Sequence, residues 1–368
     1  MNILLAPDKF KGTFSANEVC QLMRQGLKKV LPQAHITSCP IADGGDGFVD
    51  VLFQQLAGQW VECEVHDAMG RPFCARYALC GDIALMEMSE ASGIRHVPVE
   101  ARNIWQANTL GTGEMMRHAI ENHQVRRIVM GIGGSVSNDG GCGMAAALGA
   151  KFLNKEGVRL DPTPRELASC AQVDLSGLIE LPEILVACDV DNPLLGNKGA
   201  VRVYAPQKGA GTDELAKLES MLSRLVAITE GHEASLVAGA GAAGGLGFGL
   251  IQFCSARLQP GFELVAEETG LMREIEKSDI VITGEGKLDA QTLHGKGPAG
   301  VARLAQKAGK QVAVIAGFVE LLPSESTGLF DCIYELHDTS RTMEETIRGG
   351  ESLLIEKSAQ LARDLGAS

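Results

Sequence analysis

The sequence has few aromatic residues and no excess of basic charge. Aromatic side chains make up 4% of the residues, and the formal net charge is −13 at pH 7. Such a chain lacks the stacking platforms that bind single-stranded nucleic acid, and it repels polyphosphate backbones and anionic bilayers. We therefore expect neither a nucleic acid nor a membrane surface as its partner.

Targeting segments and the motifs of several enzyme classes are also missing. The ten cysteines include no C-x-x-C pair, which argues against common zinc and redox sites and favours buried thiols in a reducing compartment. The first residues carry no basic leader and only four consecutive apolar residues, so we expect no signal peptide and a cytoplasmic location. Without G-x-x-x-x-G-K-[ST], H-R-D, D-F-G or H-E-x-x-H, the sequence does not indicate a P-loop ATPase, a protein kinase or a zincin.

The longest uncharged run covers residues 234–256. It is long enough to span a bilayer, but its six glycines dilute its hydrophobicity. We interpret this run as a buried glycine-rich loop and helix.

What the sequence does contain is an alternation of short β-branched apolar runs with amphipathic segments, which is typical of a mainly parallel α/β sheet. At 368 residues the chain is longer than one hydrophobic core usually supports, so we expect two α/β domains. No long linker separates them, which suggests a Rossmann- or flavodoxin-like domain of residues 1–60 and 262–368 with a second domain, 61–261, inserted into it. Strands are predicted at 3–6, 36–41, 83–88, 128–132, 184–188, 280–283 and 312–316, and helices after a capping box at 15–18 and at 112–122, 213–228, 298–307 and 343–365.

Acidic loops at 43–47, 138–141, 189–193 and 284–289 follow strand-like runs, and lysine loops lie at 8–12, 207–209 and 295–297. In open α/β sheets, ligand groups gather where the strands end. Phosphoryl transfer requires carboxylates for Mg²⁺, cations for phosphate oxygens and a carboxylate that accepts a proton. Each loop alone is ordinary turn chemistry, but together they favour an Mg²⁺-assisted enzyme that acts on a phosphate or a small anion.

Two glycine-rich loops are candidates for binding phosphate. Residues 131–141, Gly-Ile-Gly-Gly-Ser-Val-Ser-Asn-Asp-Gly-Gly, lie between a predicted strand and a helix-like segment, which would direct N–H groups at an anion. Residues 239–244 match G-x-G-x-x-G after the run 235–238, but only Glu263 approximates the acidic residue that dinucleotide binding requires. An NAD-dependent hydroxy-acid dehydrogenase and a non-catalytic small-anion binding protein therefore stay open as alternatives.

Eight ordered motifs carry a resemblance to the type I glycerate kinase family of bacterial glucarate and glyoxylate metabolism. The resemblance runs from Ala6 to beyond Val301. The motifs cover residues 6–12, 40–47, 111–114, 131–144, 186–194, 206–210, 239–247 and 281–296.

This resemblance implies transfer of the γ-phosphate of ATP to a hydroxyl of D-glycerate, usually O2, in a cleft between two α/β domains. A homodimer stays open. We add the hypotheses that Asp189 accepts the hydroxyl proton, that Lys11 and Lys208 neutralise the phosphoryl group or the glycerate carboxylate, and that magnesium lies on the side of Asp43 and Asp46. The residues implied to contact ATP or its phosphates are Gly133, Gly134, Ser135, Asn138, Asp139, Gly244, Gly245, Glu285, Asp289 and Lys296.

Overall fold

The structure is a computed structural model that describes residues 1–42, 47–290, 292, 297–320 and 328–366. Its strands are β1 Asn2–Leu5, β2 His35–Ser38, β3 Gln59–His66, β4 Pro72–Cys80, β5 Ile83–Glu87, β6 Arg127–Gly131, β7 Lys151–Leu153, β8 Gln172–Asp174, β9 Glu183–Ala187, β10 Arg257–Gln259, β11 Ile280–Leu288, β12 Gln311–Val319 and β13 Cys332–Glu335. Its α-helices are α1 Ala16–Val30, α2 Phe48–Gln55, α3 Ser89–Ser92, α4 Leu110–His123, α5 Cys142–Ala147, α6 Pro164–Leu167, α7 Ala200–Tyr204, α8 Thr212–Ile228, α9 His232–Leu236, α10 Ala242–Cys254, α11 Gly261–Glu268, α12 Leu271–Lys277, α13 Gly297–Lys307, α14 Met343–Arg348 and α15 Gly350–Gly366.

The chain divides into two compact units. Unit 1 consists of Met1–Asp43, Asp50–Gln55 and Phe262–Ser368, and unit 2 of Gly44–Val49 and Leu56–Gly261. The discontinuous domain of residues 1–60 and 262–368 and the inserted domain of 61–261 stay predictions, as does a Rossmann- or flavodoxin-like fold for the first of them.

Unit 1 is built on a five-stranded sheet in the order β13-β12-β11-β1-β2, and all of its pairs are parallel. Both faces of the sheet are buried, because successive residues of β1 enter different cores: Ile3 packs in one, and Leu4 in the other. Near-continuous apolar strands are what such a doubly covered sheet needs. This is why the apolar runs at 3–6, 280–283 and 312–316 mark its central strands correctly.

Unit 2 contains a six-stranded sheet in the order β10-β9-β6-β5-β4-β3. The pairs β5–β6, β6–β9 and β9–β10 are parallel, whereas the pairs β3–β4 and β4–β5 are antiparallel. The mainly parallel sheet expected from the sequence is therefore found in unit 1, while unit 2 has a mixed sheet. A small two-stranded sheet, β7 with β8, accompanies it.

Two sequence predictions need correction. The acidic segment 284–289 was expected as a loop, but β11 continues to Leu288 because its ladder with β12 extends to the pair Leu288 and Val319. The helix expected at 343–365 is two helices, α14 and α15, that are separated at Gly349. The run 235–238, which precedes the G-x-G-x-x-G match, begins inside α9, His232–Leu236, so no strand leads into that match.

Two other predictions are confirmed, the capping box before α1 and the buried glycine-rich run. Ser15 and Glu18 form the capping box expected before α1, with the Ser15 side chain accepting a hydrogen bond from the Glu18 N–H. The glycine-rich run 234–256 is largely buried and contains α10. None of the helices in the described part of the chain combines the length and the apolar character that a membrane span requires.

Helices α1 and α15 pack closely in unit 1 at Gly26. A Cβ atom at this position would overlap the Ile355 carbonyl oxygen and lie 2.6 Å from Cβ of Ser358. The carbonyl belongs to helical backbone, so it cannot move aside without disturbing α15. Gly26 is thus retained inside a helix, where glycine is otherwise unfavourable, because it lets the two backbones approach.

We expect Gly26→Ala to destabilise the protein, although alanine is the better helix former. Overpacking of a tight contact costs about 1–3 kcal/mol, more than the roughly 1 kcal/mol of helix propensity that alanine gains. Thermal unfolding should show a lower Tm than that of the wild type. The control is Gln25→Ala at the exposed neighbouring position. A Tm equal to or above that of wild type in Gly26→Ala would contradict the close contact.

Candidate active site

The loop 133–141 in unit 2 is held in place by a buried lysine. Lys208 ends a short 3₁₀ turn, and its side chain is 1% exposed. Its ammonium group donates to Ser135 Oγ at 2.7 Å and to the Ser137 carbonyl oxygen at 2.6 Å. Burial lowers the pKa of Lys208 to about 7, and the nearby charge of Asp139 opposes this shift. The two hydrogen bonds of Lys208 fix the backbone of the loop.

Asp139 is fully buried in the same loop and joins it to two helices. Its Oδ2 accepts hydrogen bonds from the Thr109 N–H at 2.8 Å, from Thr109 Oγ1 at 2.7 Å and from the Gly143 N–H at 3.0 Å. These donors lie at the start of α4 and in α5, where a negative group is favoured. Burial raises the pKa of Asp139, and these hydrogen bonds lower it. The geometry gives this carboxylate a structural part, and the phosphate contact predicted for it stays a prediction.

The second glycine-rich loop packs directly on the first. Gly244 and Gly245 have φ angles of +69° and +88°, and the Gly140 N–H donates to the Gly244 carbonyl oxygen at 3.1 Å. A Cβ atom at Gly244 would overlap the Ser137 carbonyl oxygen, and one at Gly245 would lie 2.9 Å from Cα of Gly140. Close backbone packing explains these glycines. Because α9 precedes them where a dinucleotide fingerprint requires a strand, the structure disfavours NAD binding here.

Polar side chains of the first loop include groups that no described residue satisfies. The Asn138 side chain is fully buried, and neither its Oδ1 nor its Nδ2 has a hydrogen-bond partner; the same holds for Ser137 Oγ. Buried polar groups are normally paired, so orphans of this kind point to a bound water or ligand. Gly133 and Gly134, at the start of the loop, are exposed.

Asp189 lies just beyond the carboxyl end of β9, in a segment that also contacts the second glycine-rich loop. Its Oδ1 accepts a hydrogen bond from the Gly261 N–H at 3.1 Å, and the residue is partly exposed. The Gly241 N–H donates to the Asn192 carbonyl oxygen at 2.9 Å. Unit 2 therefore gathers four of the predicted segments: 133–141, 189–193, Lys208 and 239–245.

In unit 1 the structure brings together other predicted residues. Thr292 Oγ1 donates to Glu285 Oε1 at 2.6 Å and accepts from the Asp289 N–H at 3.1 Å. Lys11 and Glu285 line one cavity of about 420 Å³ in this unit. Among the residues that the structure describes, no three His, Cys, Asp or Glu side chains are grouped so that they could hold a metal ion.

Three predicted residues, Asp43, Asp46 and Lys296, lie outside the described residues. Two threonines that organise the site, Thr109 and Thr292, are not among the predicted residues. Thr109 donates to Asp139, and it accepts the Met144 N–H at 2.9 Å. The only signal for it was its place just before the motif 111–114, because a threonine in a sequence does not reveal which backbone groups it will bind.

Comparison with known proteins agrees with the motifs. The model of the glycerate kinase family matches residues 3–366. The chain is 39% identical to a glycerate kinase of Halalkalibacterium halodurans over 98% of its own length and 97% of that protein's. It is 36% identical to glycerate 2-kinase of Escherichia coli K12, with coverage of 99% and 98%.

A solved structure agrees as well. A crystal structure of a candidate glycerate kinase 2 from Salmonella typhimurium LT2 matches with a TM-score of 0.90 and 38% identity, over 100% of this chain and 98% of that one. The resemblance drawn from the eight motifs is confirmed. With a family model that covers nearly all of its residues, the chain belongs to the glycerate kinase family.

Proposed function

We propose that this glycerate kinase family member transfers the γ-phosphoryl group of ATP to O2 of D-glycerate and releases ADP and 2-phosphoglycerate. The family establishes the chain as a phosphotransferase and implies ATP as the donor. The E. coli relative is named glycerate 2-kinase, which supports O2 as the acceptor atom. The observation in the structure that carries the proposal is the fixed loop 133–141 with the buried Lys208 amino group hydrogen-bonded to it.

This loop suits a phosphoryl group for electrostatic reasons. A transferring phosphoryl group is stabilised by donors that are already in place, because no energy is then spent on reorganising them during the reaction. Lys208 holds the backbone at Ser135 and Ser137, and Asp139 anchors the end of the loop to α4 and α5. Asn138 brings a buried amide whose donor and acceptor are not used by described residues. We therefore assign Lys208 a positioning role and Asn138 a binding role.

Asp189 is the proposed base for the acceptor hydroxyl. Its carboxylate follows a buried parallel strand, at the edge of the sheet where ligands bind in α/β folds. The hydrogen bond from the Gly261 N–H to Oδ1 fixes the orientation of the group. The carboxylate would accept the proton as the oxygen of glycerate attacks phosphorus.

Magnesium is part of the proposal as the ion that neutralises charge on the β- and γ-phosphates when it is bound. Asp43 and Asp46 are its proposed ligands, and they lie outside the described residues. Lys11, exposed on the loop after β1, is proposed to contact an anionic group of the donor or the acceptor.

The expected activity is formation of ADP that depends on D-glycerate. The product should be converted by enolase to phosphoenolpyruvate without a mutase, because enolase acts on the 2-phosphate and not on the 3-phosphate. Coupled assays for ADP and for phosphoenolpyruvate measure the two statements separately. ADP formation without an enolase signal would show that the phosphoryl group is transferred to O3 and not to O2. Stabilisation by NADH and not by Mg-ATP in a thermal shift assay would overturn the kinase itself.

We expect Asp189→Asn to lower kcat by about 10²–10⁴-fold, because the amide cannot accept the hydroxyl proton. Its affinity for ATP, measured by calorimetric titration, should stay within about twofold of that of the wild type, since the carboxylate is proposed to contact the acceptor. The matched control is Asp191→Asn, which neutralises an exposed carboxylate two residues away. Loss of ATP binding in Asp189→Asn would instead assign Asp189 to the nucleotide or the metal.

We expect the stability contribution of Lys208 to depend on pH. Burial lowers the pKa of its ammonium group from the ordinary value of 10.5 to about 7, so between pH 7 and 10 the unfolded chain binds more protons than the folded chain. The folded state therefore gains stability as the pH rises through this window, by roughly 3–5 kcal/mol at most.

The measurement is the difference in Tm between the wild type and Lys208→Met at pH 7.0, 8.0 and 9.0. The Tm of the wild type relative to that of Lys208→Met should rise at each step in pH. Lys155→Met, at an exposed lysine of unit 2, is the control and should show a constant difference. A difference for Lys208→Met that does not change with pH would show that the ammonium is not buried in the folded protein.

A further inference from the structure

Unit 1 contains a cavity of about 420 Å³ at the carboxyl edge of its parallel sheet. Its walls come from the loop after β1, the ends of β11 and β12, and the segment around α14. The loop after β1 lies close to the end of β11 at Gly286. A Cβ atom at this position would be 3.3 Å from the backbone nitrogen of Lys11. The lining residues that matter for its chemistry are Lys9, Lys11, Phe14, Phe318, Leu336 and Ile347.

The size of this cavity does not match glycerate. Cavities of about 300–1,000 Å³ hold ligands of drug size, whereas glycerate has only seven non-hydrogen atoms. A cavity of about 420 Å³ would leave most of its wall uncovered around so small an anion. The adenosine part of ATP, by contrast, is of the size that such cavities enclose.

The chemistry of the wall also suits a nucleoside. Phe14, Phe318, Leu336 and Ile347 give the cavity aromatic and aliphatic surface, which a compact hydroxy acid with a carboxylate does not need. The Phe318 ring contacts the His337 ring, with ring centroids 5.0 Å apart and an angle of 37° between the planes. His337 Nδ1 is itself hydrogen-bonded with Thr346 Oγ1 at 2.9 Å. Phe318 is thus a fixed aromatic platform.

Cationic residues share this cavity. Lys9, Lys11 and Lys287 line the same space as the aromatic rings, beside the carboxylates Asp8 and Glu285, so lysines outnumber carboxylates in its wall. A ligand that is apolar and planar at one end and anionic at the other satisfies both kinds of wall. A nucleoside triphosphate has this construction, because its base stacks on aromatic rings while its phosphates bind ammonium groups.

We propose that this cavity of unit 1 binds the adenine and ribose of ATP, with the base on Phe318 and the phosphate chain directed toward Lys11. The proposal rests on the kinase function proposed above and adds to it the place of the nucleoside.

The test is Phe318→Ala in the full chain, with KM measured separately for ATP and for D-glycerate. Loss of the stacking ring should raise KM for ATP about tenfold and leave KM for D-glycerate within about twofold. Ile333→Ala, on the exposed surface of the neighbouring strand β13, removes similar apolar surface away from the cavity and should change neither value. A rise in KM for D-glycerate with KM for ATP unchanged would overturn the proposal.

Direct binding gives a second readout. Calorimetric titration should show that Phe318→Ala weakens ATP about tenfold but binds inorganic tripolyphosphate as the wild type does, because tripolyphosphate has no base. Equal losses for both ligands would overturn the proposal. Should Phe318→Ala fail to fold, Ile347→Ala serves instead, because Ile347 lines the cavity and is 49% exposed, and it should raise KM for ATP about threefold.

The two proposals fail in different ways. A wild-type chain that forms no ADP with D-glycerate contradicts the kinase function. A wild-type chain that is active, and whose KM for ATP is unaffected by both Phe318→Ala and Ile347→Ala, contradicts only the placement of the nucleoside.

Discussion

The approach of two backbone segments in unit 2 is the constraint on which its candidate site depends. Loop 133–141 and the glycine-rich segment 239–249 lie so close that a single Cβ at Gly244 would enter the Ser137 carbonyl oxygen. With the backbones in contact there is no room for side chains to hold the loop from that side. The loop is instead held by buried polar groups: the ammonium of Lys208 and the carboxylate of Asp139. Glycine packing and buried charge are therefore two parts of one arrangement.

Such an arrangement has an energetic cost that an ordinary turn would not carry. Burying a charge requires hydrogen bonds to replace its water, and Lys208 and Asp139 each obtain them from the loop or its neighbouring helices. What results is a loop of fixed shape at the edge of a sheet. A fixed shape is what phosphoryl transfer needs, because its transition state is stabilised by position and charge more than by covalent chemistry with the protein.

The elements that could be predicted from the sequence are those that a short stretch of residues determines by itself. The apolar runs at 3–6 and 312–316 predicted buried parallel strands because a doubly covered sheet requires such runs. Two strand segments were not predicted. In β3, exposed Glu62 and Glu64 alternate with buried Cys63 and Val65, which is the pattern of a half-buried strand and not of a continuous apolar run. At the far end of β11, pairing with β12 overrides the weak strand preference of Gly-Glu-Gly. In the site, the motif order indicated the family, but the burial of Lys208 and the capping by Asp139 depend on partners far away in the chain. Position in a motif could not separate residues that bind a ligand from residues that hold others in place.

The order of strands in unit 1 has a consequence for how the chain acquires its structure during synthesis. The first strand, β1, pairs with β2 on one side, but its other neighbour is β11, whose residues follow it by more than 270 positions. While the ribosome is still translating the middle of the chain, β1 has an unpaired edge, whereas nearly all of unit 2 comes from one continuous stretch. Domains tend to fold as they emerge, so unit 2 completes its core first and the N-terminal segment waits. Chaperones that shield open strand edges should therefore matter most for the earliest residues of this protein, although those residues leave the ribosome first.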